Sequence, residues 1–244
     1  MTRPAPLLLA AALVLLWPLP AVAQEITLSP GDGSSLSVRT IQLIVLITVL
    51  SPAPGLAIMI TCFPFIVTVL AILRQGIGLQ QSPPNMLIVS LALFLTYFVM
   101  EPVFTEAWAA GMDPLLNGTI DTETAVSRAL DPFRGFMAAR VDPETFATLS
   151  ALRPESGGPV PAPDAALSVL VPSFLLSEIA RAFQVGFPVF LPFLIIDLVV
   201  AAILMSMGMM MVPPVVVSLP FKLAFFVIAD GWTLIADSLV RGYF

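Results

Sequence analysis

Histidine is absent from this chain, cysteine occurs once, at Cys62, and lysine once, at Lys222. Without histidine there is no Ser-His-Asp or Cys-His nucleophile and no imidazole metal site, and one cysteine cannot close an intrachain disulfide. Charge is scarce as well. With 10 basic and 16 acidic residues among 244, the net charge is -6, which leaves no basic footprint for nucleic acid. These absences argue against an enzyme and against any cofactor, metal or nucleic-acid partner. What fills the chain instead is apolar: 58% of residues are hydrophobic and the mean hydropathy is +1.00, the composition of an integral membrane protein.

The chain begins with Arg3, an apolar run from Leu7 to Trp17 and the sequence Ala21-Val-Ala23. That pattern predicts a secretory signal over residues 1–23, cleaved after Ala23, because the run is shorter than the roughly 20 apolar residues a bilayer span needs. The mature amino terminus is therefore expected outside the cytoplasm. A polar lead-in follows, and then a long apolar stretch from Ile41 to Leu73 that Ser51-Pro-Ala-Pro-Gly55 should break into two helices. A turn over Arg74 to Asn85 and a second apolar helix from Met86 to about Met100 complete a hairpin, so that residues 24–110 form the amino-terminal segment and first hydrophobic hairpin.

From Glu101 to Ala166 the chain is richer in charge. Asp121 and the pairs Asp131-Pro132 and Asp142-Pro143 each offer a capping carboxylate, the last two with a proline suited to the first helical position. They predict short helices over 122–130, 132–140 and 143–152, followed by a Pro- and Gly-rich linker from Arg153 to Pro163. Residues 111–166 are expected as a small helical insertion on the external side.

The remaining residues, 167–244, read as a second hydrophobic hairpin with charges at membrane depth. Glu178 and Arg181 are three residues apart and can pair on one helix face. Asp197 points elsewhere and needs a partner from another helix or subunit. A last helix from about Pro220 to Tyr243 would place Lys222, Asp230, Thr233, Asp237 and Arg241 within an arc of about 100°. Asp237 and Arg241 can pair at i, i+4, which leaves Lys222 and Asp230 to meet something across an interface. Charged groups at such depth face protein or water, so this half looks built for assembly. Between its two apolar stretches lies Met205-Ser-Met-Gly-Met-Met-Met-Val-Pro-Pro214, with five methionines in seven residues. Unbranched, polarizable methionine makes a surface that can be repacked, either as soft core filler or as a deformable contact.

Several of these runs resemble one family. They are Pro172-Ser-Phe-Leu-Leu-Ser-Glu-Ile-Ala-Arg-Ala-Phe-Gln-Val-Gly-Phe187, Leu191-Pro-Phe-Leu-Ile-Ile-Asp-Leu-Val-Val200, the methionine stretch, Leu219-Pro-Phe-Lys222 and Ala229-Asp-Gly-Trp232. Upstream, Gln81-Ser-Pro-Pro-Asn85 and Leu91 to Phe104 fit as well. Together they are similar to the FliP (SctR) family of type III export-gate proteins, over nearly all the chain from about residue 40. The resemblance implies an all-α, membrane-type protein of helical hairpins with a small periplasmic insertion, assembling into a homo-oligomeric ring, a pentamer, in the bacterial inner membrane and flagellar basal body. It implies FliQ and FliR as ring partners, FlhA and FlhB nearby, and unfolded export substrates passing through the pore. The family's methionine-rich gasket falls here on Met209, Met210 and Met211. Glu178, Arg181, Asp197, Lys222 and Asp230 then become contacts between helices or subunits.

Two other classes compete. A proton- or solute-coupled transporter could use Asp197, Asp230 and Asp237 as a relay, but it calls for an inverted repeat, and the first half has no intramembrane charge to match the second. A carboxylate dyad of Asp197 and Asp230 could serve an intramembrane protease, but Asp197 sits in a plain Ile-Ile-Asp-Leu-Val run.

Overall fold

A computed structural model of the chain describes residues 33–78, 84–153, 163–209 and 211–243. The expected signal segment 1–23, most of the linker after Arg153, and Met210 lie outside the described residues. Those residues hold ten α-helices and one π-helical turn, with no strand. The chain divides into two units, Met1–Ser51 and Pro52–Phe244.

The first unit holds α1 (Gly33–Leu50), polar in its first half and largely apolar from Ile41 onward, with Ile41, Leu43, Ile44 and Ile47 all exposed. The second unit opens with α2 (Ala53–Met59) and α3 (Phe63–Ile77). Prolines start both helices, at positions where the missing N–H costs nothing. Gly78 closes α3 in a left-handed conformation, φ 85°.

The hairpin's second arm is longer than its sequence suggests. α4 (Asn85–Ala107) runs without a break through a π-turn (Trp108–Met112) into α5 (Asp113–Leu116), so the helix expected to end near Met100 continues to Leu116. Pro102 removes one backbone donor but does not end the helix. The π-turn brings Gly111 against α6 (Thr122–Arg140), where an added Cβ would lie 2.6 Å from the Ala125 carbonyl oxygen and 2.7 Å from the Ala129 Cβ.

α6 is a single helix through Pro132, not the two that Asp131-Pro132 suggests. Proline's fixed φ is compatible with a helix, and Phe133, Phe136 and Met137, all just after it, pack into the two cores. α7 (Pro143–Ala151) starts where expected, with Asp142 accepting from the Thr145 N–H at 2.8 Å.

α8 (Leu167–Ser206) has 40 residues and passes through Pro172, Pro188 and Pro192. Its contour of about 60 Å is twice the thickness of a bilayer's hydrocarbon core. α9 (Pro214–Ile228) and α10 (Gly231–Arg241) follow, meeting at 61°. That bend corrects the expectation of one continuous last helix with one polar stripe. Asp230 adopts a left-handed conformation, φ 48°, which breaks the helix and sends the polar groups before and after it to different faces.

One core unites Phe65, Ile66, Leu70 and Leu73 of α3 with Ala92, Val99 and Met100 of α4, Phe193 of α8, Phe226 of α9 and Leu239 of α10. A second joins Met137, Val141 and Phe146 to Val169, Leu170 and Phe174. By length and apolar character, Thr40–Met59, Asn85–Leu116 and Leu167–Ser206 could each cross a membrane, and the bent α9–α10 pair could form a further span.

The glycines in the insertion make a paired prediction. Gly111→Ala should lower stability by about 1–3 kcal/mol, because the new methyl group meets backbone that cannot move aside. Gly135→Ala, where nothing lies within 4 Å, should be neutral or gain up to about 1 kcal/mol of helix propensity. Thermal unfolding of the two variants in detergent checks both.

Candidate functional site

Along α8 the buried face runs through Leu170, Phe174, Ser177, Glu178 and Ala182, the three- and four-residue spacing of an inward helix stripe. Glu178 is therefore carried into the interior, and its side chain is 0% exposed. A carboxyl group there must be answered by other parts of the chain. Arg140, the last residue of α6, donates from Nε to Oε1 at 3.1 Å, and the Tyr243 hydroxyl donates to Oε2 at 2.5 Å. Arg140 also donates from Nη1 to the Gly242 carbonyl at 3.1 Å, and its guanidinium lies 3.7 Å above the centre of the Tyr243 ring.

Arg181, the partner that spacing suggests, reaches only 3.8 Å from Glu178 and leaves 42% of its side chain exposed. The close partners come from residues 38 and 65 positions away. Arg140 and Tyr243 thus escape a reading based on helical spacing. The signals that mark them are weak: an arginine ending a mixed helix, and one of only 2 tyrosines, placed just past a hydrophobic helix.

A second buried pair lies farther along α8. Lys222 of α9, with a side chain 4% exposed, places Nζ 2.6 Å from Asp197 Oδ2 and donates to the Gly76 carbonyl at 3.1 Å. Ser218, one turn earlier on α9, donates to Asp197 Oδ1 at 2.5 Å. This contact joins α3, α8 and α9. It gives Asp197 a partner within its own chain and shows that Lys222 is not free for an interface. Ser218 could have been noticed from its i, i+4 relation to Lys222. Asp197 remains 30% exposed and borders an open cavity of about 760 Å³, so it is the end of the pair that a neighbour can reach.

Asp230 is not joined to either pair. Its carboxylate accepts from the Thr233 hydroxyl at 3.2 Å. Asp237 pairs with Arg241 at 2.8 Å on the exposed face of α10. Asp197, Asp230 and Asp237 thus each bond to a different residue, which gives a proton relay or an aspartate dyad no geometric support. Among the described residues no group of three or more Asp, Glu or Cys side chains could hold a metal ion.

Outside the apolar spans, Asp142 ties α7 to α8, its own N–H donating to Ser177 Oγ at 3.0 Å. Its carboxylate accepts from the Thr145 N–H and hydroxyl, and these bonds hold it below the ordinary aspartate range.

The methionine stretch has a defined start. α8 ends at Ser206, Met207 caps it and Gly208 turns left-handed, φ 75°. The Met209 N–H reaches back to the Leu204 carbonyl at 3.0 Å and the Gly208 N–H to Met205 at 3.1 Å, the paired bonds of a Schellman motif. A side chain at Gly208 would force this turn into strain. Pro213 and Pro214 then restart the chain as α9. Met205, Met207, Met209 and Met211 are exposed by 61%, 67%, 42% and 98%, so these four are not core filler within one chain.

The FliP family model matches residues 46–239. The chain is 48% identical over 236 residues to a flagellar biosynthetic protein FliP of Caulobacter vibrioides, covering 96% of this chain and 88% of the relative. It is 48% identical over 222 residues to a protein of the same name from Rhizobium meliloti, covering 90% and 89%. A Bacillus subtilis relative, also so named, is 45% identical over 219 residues, covering 88% and 96%.

The two arginines near Glu178 should differ sharply on removal. Arg140→Ala leaves a buried carboxyl group without its cation and should cost about 3–5 kcal/mol, whereas Arg181→Ala should cost under about 1 kcal/mol. Asp197→Asn should likewise destabilise by about 3 kcal/mol, and adding Lys222→Met should restore most of that loss. Denaturant unfolding of the purified variants gives all four values.

Proposed function

The chain belongs to the FliP family, and from that premise we propose that it is the ring-forming pore subunit of the flagellar type III export gate. At the coarser level it is a membrane-associated flagellar biosynthetic protein, a structural part of the export apparatus. In the finer reading, unfolded flagellar proteins pass along the axis of a homo-oligomeric ring, a pentamer, joined by FliQ and FliR, with FlhA and FlhB adjacent. The chain performs no catalysis of its own. The assembly sits in the inner membrane, residues 1–23 are removed as a signal, and residues 111–166 lie on the periplasmic side between the hairpins of 24–110 and 167–244.

The observation that carries the pore role is the exposure of the methionine loop. Four methionines stand out from the end of a 40-residue helix, on a turn fixed by Gly208 and ended by two prolines. A rigid frame thereby holds out flexible, weakly selective side chains. Met209, Met210 and Met211 are the gasket: thioether chains repack around differing substrate side chains without holding any of them tightly, and a constriction lined by them resists ion flow. The length of α8 supports a ring that rises out of the bilayer, since its contour exceeds what one crossing needs. Exposed apolar residues along it, among them Phe183, Phe187, Ile195 and Leu198, supply faces for neighbouring subunits. Glu178, Arg181, Asp197, Lys222 and Asp230 serve the assembly by holding each subunit's helices in register or by meeting adjacent subunits.

Replacing Met209, Met210 and Met211 together with alanine should raise ion conductance of the assembled complex in planar bilayers, with the ring still formed. Unchanged conductance in intact rings rules out the gasket. Co-expression with FliQ and FliR should yield a complex whose native mass holds several copies of this chain; a chain that stays monomeric beside both partners counts against the ring.

A further inference from the structure

α10 is held by a distinctive contact at each end. At its start Asp230 takes the left-handed conformation, φ 48° and ψ 47°, which aspartate tolerates better than most residues but still at a cost. Gly231, next in the chain, makes room for the Phe226 ring, since a Cβ there would lie 2.2 Å from the ring edge. The chain bends at this point, and just beyond it Trp232 meets the Phe226 ring edge-on and lines a groove with Leu87, Ile88 and Leu91 of α4. At the far end, Tyr243 stacks on Phe136, meets the edge of Phe65, lies under the Arg140 guanidinium and donates its hydroxyl to Glu178. The Gly242 carbonyl accepts from Arg140 beside it. Between the two ends only Gly231, Ile235 and Leu239 of α10 are buried, a single stripe at i, i+4 spacing.

We propose that α10 is a hinged arm, with its pivot at Asp230–Gly231 and its latch at Tyr243, and that Tyr243 is the positioning residue that keeps the arm closed over the α3–α4 core. The latch is a two-state device. Opening it takes the hydroxyl donor from a fully buried carboxyl group and the ring face from a nearly buried guanidinium at the same time, so intermediate positions are disfavoured. Closing it hides Ile235, Leu239 and the edge of Phe65, so the state of the latch decides whether the second hairpin shows an apolar stripe to its surroundings. It also couples α6 of the charged insertion to the end of that hairpin, two regions 102 residues apart in the chain. The arm belongs to the single chain, so its test and that of the methionine gasket fail independently.

Hydrogen exchange followed by mass spectrometry on the full chain in detergent reads the arm directly. Tyr243→Phe keeps the ring and removes only the hydroxyl. It should speed amide exchange over residues 231–243 by about tenfold, with exchange in Phe63–Ile77 unchanged. Combining it with Glu178→Gln should add less than the two single effects together, since both act on one contact. Tyr243→Ala should open the arm further. If that variant does not accumulate, Tyr243→Phe decides alone. Unchanged exchange in the arm of Tyr243→Phe, or acceleration spread equally through α3 and α4, overturns the latch.

Discussion

Removing a carboxyl group from water costs several kcal/mol unless close donors replace the lost hydration. Glu178 makes that demand in the middle of the fold, with no exposed surface, and two distant parts of the chain meet it, so that three parts come together there. Arg140 brings the end of α6, Tyr243 brings the residues after α10, and Glu178 itself stands on α8. An apolar contact at this place would bury area without specifying direction. The paired donors fix which atoms meet, and through them where the insertion lies against the second hairpin.

The Asp197–Lys222 pair plays a similar part farther along α8, where it joins α9 to the end of α3. Between these two polar contacts the long helix is packed by hydrophobic side chains, and beyond the second it ends in the exposed methionine turn. Charge fixes the frame, while the loop carries none. The frame is thereby fixed by directional contacts, while the exposed methionine side chains beyond it stay free to repack.

How much was legible depends on the range of the forces involved. Glu178, Asp197 and Lys222 stand out in the sequence because charge is rare within apolar runs, and no structure is needed to see that they require partners. Which partners they take is another matter. Helical spacing points Glu178 to Arg181, yet Arg140 and Tyr243 are closer, because Arg181 projects outward from the packed interior with 42% of its side chain exposed. Proline is misleading in a different way. Pro132 reads as a helix start, but a helix already nucleated and packed by Phe133, Phe136 and Met137 continues through it. The break that does divide the last hairpin falls at Asp230, whose left-handed backbone has only a weak sequence signal.

By its own composition and order, the sequence determines an all-helical membrane-type protein, the start of α7 at Asp142, the methionine turn bounded by Gly208 and two prolines, and membership in a family through long matching runs. Each of these follows from local chemistry: hydropathy, a capping carboxylate, a glycine free to turn left-handed, or residue identity in order. Only the tertiary structure decides that Arg140 and Tyr243 enclose Glu178, that Lys222 is spent within its own chain, and that α10 turns away from α9. Those outcomes rest on contacts between residues tens of positions apart, whose energies depend on burial and on which donors the packed helices bring within about 3 Å.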